Sequence, residues 1–174
     1  MPAKNSLLQK LTGGDRRSIG RSNQVVTLVL KQPALFAELI RGLRAADPLV
    51  RMRAADAAEK ASLKKPNLLP PFKAELLLLL DEAAEQEVRW HLAQMVPRLL
   101  LSSKERIRAV STLELYLKDK SSIVKTCALQ ALVEIAAYDE SLLPKVKGLL
   151  QNSVRKGTPA MKARARRLLA QFRD

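Results

Sequence analysis

This 174-residue sequence holds one cysteine, one histidine and one tryptophan, and aromatic residues make up only 3% of it. A lone thiol, Cys127, closes no internal disulfide, so packing must hold the chain together, and the composition suits a reducing, cytoplasmic compartment. Cys127 and His91 alone make neither a metal cluster nor a redox pair. Gly-x-Gly-x-x-Gly, a Walker-type phosphate loop and His-Glu-x-x-His are all absent, so the sequence indicates no reaction, no metal and no small-molecule cofactor. The longest apolar run, residues 76–80, falls far short of the about 20 residues a membrane span requires. The opening Met1-Pro2-Ala3-Lys4-Asn5 has no signal-peptide character, and a soluble chain without membrane contact is expected. Sustained alternation bounded by Asn-Gly or Asp-Gly turns is missing as well, which argues against strands.

What is present is aliphatic and alanine-rich, with 47% hydrophobic residues, a composition that favours helix. One motif recurs in it: Asp47-Pro48-Leu49-Val50-Arg51, Glu85-Gln86-Glu87-Val88-Arg89, Ser121-Ser122-Ile123-Val124-Lys125 and Thr158-Pro159-Ala160-Met161-Lys162. Its basic residues lie 38, 36 and 37 positions apart, a period that points to stacked helix pairs rather than one closed core. Each unit reads as an outer helix, a tight turn and an inner helix that begins at the motif. The expected pairs are 33–45 with 48–62, 71–84 with 86–100, 104–117 with 122–137, and 141–150 with 159–172, preceded by a capping helix over 23–31. Residues 1–21 read as an arm or short helix, and 22–174 as one repeat domain with units near 22–65, 66–103, 104–140 and 141–174.

The motif has the chemistry of a helix start. Asp47, Ser121 and Thr158 offer short side-chain oxygens to first-turn N–H groups, and Pro48 and Pro159 follow where a missing N–H costs nothing. Glu85 is the weak member, better suited to the helix dipole than to capping. Ser102 with Glu105 forms a capping-box pattern ahead of the third outer helix, while Pro97 should kink or end the second inner helix near Val96. Behind the caps, Val50, Ala54, Ala57 and Ala61 repeat at helical spacing, as do Val124, Ala128, Ala131 and Ile135.

The run Asp47-Pro48-Leu49-Val50-Arg51-Met52-Arg53-Ala54-Ala55-Asp56-Ala57 resembles the turn and inner-helix signature of HEAT repeats. The other copies are weaker versions of it, and residues 23–172 resemble short stand-alone bacterial HEAT-repeat proteins. The resemblance implies an all-α, right-handed, armadillo-like α-solenoid that serves as a binding scaffold rather than a catalyst. It further implies a ladder between units from the motif's acid and base. Asp47 and Arg51 match that pattern, whereas Ser121 and Thr158 lack the acid.

Net charge is +14 and unevenly spread. Residues 141–174 carry nine basic side chains against one acidic, whereas 104–140 balance six with six. A basic surface attracts acidic protein or the phosphates of DNA or RNA. The expected binding residues are Arg53, Lys60, Arg89, Trp90, Lys125, Lys162, Arg166 and Arg167, with Arg89, Lys125 and Lys162 forming a row on successive units. Arg53, Lys60 and Lys64 are expected along one exposed helix stripe. An acidic protein or peptide is the expected partner, with nucleic acid as the alternative. A further alternative follows from the resemblance: the DNA glycosylases that remove alkylated bases have HEAT-like repeats and use tryptophan on a basic groove, a part Trp90 would take here. The competing expectation is that Trp90 fills a gap between repeats and His91 is a packed or surface side chain.

Overall fold

The computed structural model describes residues 6–172, and all regular structure among them is helical. Nine α-helices follow in order: α1 (Ser22–Lys31), α2 (Phe36–Gly42), α3 (Pro48–Lys64), α4 (Lys73–Glu82), α5 (Gln86–Met95), α6 (Ser103–Tyr116), α7 (Ser122–Ala136), α8 (Leu143–Lys156) and α9 (Pro159–Ala170). Packing divides the chain into two compact units, one ending at Leu76 and the other starting at Leu77, inside α4.

The helix starts follow from the caps. The side chains of Asp47, Ser121 and Thr158 accept from the N–H groups of Leu49, Val124 and Met161, while Glu85 makes no side-chain cap. The Ser102–Glu105 capping box closes in both directions at the start of α6. Pro97 acts as its missing N–H requires: α5 stops at Met95, and the 3₁₀ turn Val96–Arg98 follows.

In the first unit α1 and α2 both pack on α3. Val50, Ala54, Ala57 and Ala61 are all buried on α3, with Ala55 and Ala58 beside them. Small side chains bring the backbones close: a Cβ built on Gly42 would stand 2.9 Å from the Ala54 Cβ, so the α2–α3 contact has no room for one more methyl. The 3₁₀ turn Leu7–Leu11 packs on the same three helices and buries Leu7 and Leu11. Within the expected arm, then, residues 6–21 are attached to this unit, and residues 1–5 lie outside the described residues.

In the second unit α7 is the centre, packed against α5, α6, α8 and α9. Val124, Ala128, Leu129, Ala131, Leu132, Ile135 and Ala136 are all buried on it, which is how a helix enclosed on several sides satisfies a broad apolar face. Each large aliphatic side chain buried this way contributes about 1.5–3 kcal/mol relative to exposure. The Tyr116 hydroxyl donates to the Leu80 carbonyl at 2.5 Å, tying the end of α6 to α4. Burial pushes the Tyr116 hydroxyl well above its ordinary pKa against the opposing Arg89 charge, so it stays protonated and able to donate.

Candidate binding surface

Arg53 is not on an exposed stripe. It is 2% exposed, and its guanidinium donates to the carbonyls of Ser18 (3.1 Å), Leu11 (2.8 Å), Gly13 (2.6 Å) and Asp15 (3.0 Å). The planar fork of five N–H donors suits such a set of carbonyls, and they replace the water a buried cation would lose. The segment bends around it by way of glycine. Gly20 sits at φ +54, and a Cβ there would lie 2.8 Å from the Arg53 Cζ. Expectation failed here because helical spacing counts only the helix's own faces, while the covering came from residues 6–21.

Lys60 is half-buried and engaged: its ammonium is 2.8 Å from Asp56 Oδ2 and 3.0 Å from Asn23 Oδ1. Ser22 donates to the same Asp56 carboxylate, so α1 and α3 share a polar contact within the first unit. Lys64 remains exposed.

Arg89 is a clamp within the second unit. It donates to the Ala83 carbonyl at 2.7 Å and to Asp119 Oδ2 at 2.6 Å, and its guanidinium carbon lies 5.5 Å from the centre of the Tyr116 ring. Asp119 stands two residues ahead of the Ser121 cap, so the acid missing from the motif is supplied from the preceding turn. Burial pushes the Asp119 carboxyl up. The Ser121 N–H, the Arg89 hydrogen bond and the charges of Arg89 and Lys125 outweigh it and hold the group below the usual carboxylate value. Arg51, the equivalent residue in the first unit, donates to the carbonyls of Ala45 (2.6 Å) and Ala46 (3.0 Å) in its own turn. A second tie joins Arg106 on α6 to Asp139 at 3.2 Å. Asp139 too is held below its usual value, by Ser141 first and then Arg106.

Trp90 is half-buried on α5, its ring 5.6 Å from that of His91 in an edge arrangement. Tyr116 is buried against Leu80, and Tyr138 is 72% exposed. Trp90 stacks on neither of them, so no aromatic cradle forms around it among the described residues. Among the same residues no three of His, Cys, Asp and Glu gather into a metal-binding cluster. No helix of the described residues is long and apolar enough to cross a membrane.

The last hairpin gathers several cations that have no acid beside them among the described residues. Elsewhere Arg44, Lys60, Arg89, Arg106 and Arg108 pair with Glu75, Asp56, Asp119, Asp139 and Asp81. On α8 and α9, Lys145 pairs with Glu114, Lys147 lies over Phe172, and Arg164 donates to Gln130 Oε1 at 3.1 Å. Arg155, Lys156, Arg166 and Arg167 are exposed and Lys162 half-buried, and no acid among the described residues pairs with any of these five. Met161, Ala165 and Leu168 hold the opposite face of α9 in the core.

Lys125, like Arg89, acts through its charge on the Asp119 carboxyl, but it makes no ion pair there. It lines a cleft of about 300 Å³ with Lys118 and Lys156, closed by Leu117, Leu149 and Met161. Lys118 and Lys156 were not among the expected residues. They lie 38 positions apart, near the repeat spacing, and that coincidence was the available signal.

The fold resembles that of an engineered protein whose crystal structure was determined as a Northeast Structural Genomics Consortium target. The TM-score is 0.62 and the identity 18%, with 94% of this chain and 76% of that chain covered. No protein-family model matches the chain, and no curated protein matches it.

Proposed function

We propose that the protein is a non-catalytic binding scaffold, a right-handed α-solenoid of HEAT-like helix pairs whose C-terminal hairpin takes an acidic protein or peptide. One observation carries the reading: Arg155, Lys156, Lys162, Arg166 and Arg167 gather on one hairpin with no acidic partner among the described residues, whereas Arg44, Lys60, Arg89, Arg106 and Arg108 elsewhere are each paired with an acid. An exposed helix face is polar as a rule, but either sign of charge meets that need. Unpaired charge of a single sign raises the potential over the surface and draws in a partner of opposite sign. The recurring helical motif and the succession of α5, α7 and α9, each packed on the next, support the solenoid.

The test uses fluorescence anisotropy with a labelled glutamate-rich peptide and a labelled single-stranded oligonucleotide over a range of salt. The peptide is expected to bind, and to weaken as salt shortens the reach of charge from about 10 Å at 0.1 M to about 3 Å at 1 M. Tighter binding of the oligonucleotide, with the steep salt dependence that counterion release produces, would transfer the reading to nucleic acid.

A further inference from the structure

We propose that the cleft formed by the end of α6, the start of α7 and the α8–α9 hairpin binds a phosphomonoester, borne on a side chain of the acidic partner. This rests on the scaffold reading above and narrows it. Lys118, Lys125 and Lys156 line one cavity of about 300 Å³. None of the three is in an ion pair among the described residues, and the acids nearby are already occupied. Glu114, on the cleft wall, is 2.7 Å from Lys145, and Asp119, whose carboxyl feels the Lys125 charge, is held by Arg89. Three lysines therefore line a cleft whose lining carboxylate, Glu114, is already paired with Lys145.

The ligand class follows from which cations these are. Planar carboxylates are recognised best by the two-pronged guanidinium fork, and no arginine lines this cleft. Lysines act as point charges on mobile stems, which suits a tetrahedral anion approached from several directions. A phosphomonoester carries about −1.5 to −2 charge at neutral pH, a better match for three lysines than a singly charged diester. Leu117, Leu149 and Met161 supply apolar walls, which strengthens the attraction by displacing water. The helix start beside the cleft adds little: Pro159 has no N–H, and the N–H of Met161 already donates to Thr158 Oγ1 at 3.3 Å. The lysines carry the site.

The experiment titrates the full chain with inorganic phosphate, with a short peptide bearing one phosphoserine, and with its serine counterpart, following amide NMR shifts. Saturable shifts at Gly157, Thr158 and Lys125 are expected, with the phosphopeptide binding more tightly than free phosphate and the serine peptide leaving the cleft unmoved. Lys118→Ala, Lys125→Ala and Lys156→Ala are each expected to weaken binding about fivefold, while Lys104→Ala, outside the cleft, leaves it unchanged. Absence of saturation at these amides, or equal response to all four variants, overturns the site. Equal affinity for free phosphate and phosphopeptide overturns the partner-borne source, and an oligonucleotide that displaces the phosphopeptide from these amides overturns the ligand class. The scaffold reading fails separately, when the glutamate-rich peptide does not bind at all while phosphate still titrates the cleft.

Discussion

Replacing Arg53 by methionine is expected to lower the stability of the first unit by about 3–5 kcal/mol, the largest effect of any single change considered. Methionine fills much of the same volume, so the loss reads the interactions rather than a cavity. Four carbonyls, those of Leu11, Gly13, Asp15 and Ser18, lose their donor at once. Urea unfolding measures the stability change, and limited trypsin digestion reads its location. Arg16, Arg17 and Arg21 should become cleavable in Arg53→Met under conditions where the wild type resists, because residues 6–21 have lost their anchor. Arg53→Lys should recover only part of the loss, since one ammonium cannot reproduce the spread of a planar fork. An Arg53→Met variant with wild-type stability and trypsin resistance would contradict the role given to this side chain.

Arg89→Met is expected to destabilise the second unit by about 2–3 kcal/mol, below the range for fully buried pairs because a third of the arginine side chain is exposed. The penalty arises mainly from Asp119, whose side chain is only 6% exposed and would be left charged without its partner. The sign of the pH dependence follows from the depressed Asp119 carboxyl. A group whose folded pKa lies below its unfolded value adds stability above the ordinary carboxylate value, about 3.9, and loses it as pH falls through the depressed one. Urea midpoints of the wild type and Arg89→Met should therefore differ most at neutral pH and converge as pH drops below about 4. Parallel curves down to the acid limit would show that the Arg89–Asp119 pair is not the source of the difference.

The helical order was legible because it rests on local chemistry. Asp47, Ser121 and Thr158 cap the helices their side chains announce, Pro97 ends α5, and the valine and alanine series of α3 and α7 face inward as their spacing requires. The placement of charge was less legible, for a physical reason. A helical wheel gives the direction of a side chain but not what arrives from elsewhere in the chain to meet it. Arg53 was covered by a glycine-bent segment about 35–42 residues earlier in sequence, and Arg89 was met by Asp119 from a turn 30 residues later. Lys125, in the same motif position, found no acid at bonding distance and lines a cleft instead. One sequence motif thus yields a clamp in one copy and an open cation in another, decided by whether a neighbouring turn supplies a carboxylate.

The most direct measurement compares two triple reversals that change the net charge equally: Lys162, Arg166 and Arg167 to Glu on α9, and Lys31, Arg41 and Lys64 to Glu on the exposed surface of the first unit. Binding of the glutamate-rich peptide should fall more than about tenfold in the α9 variant and stay within about twofold of wild type in the other, since charges beyond a Debye length are screened at physiological salt. Equal losses in both would mean that overall charge, and not the unpaired cations of the last hairpin, draws the peptide in.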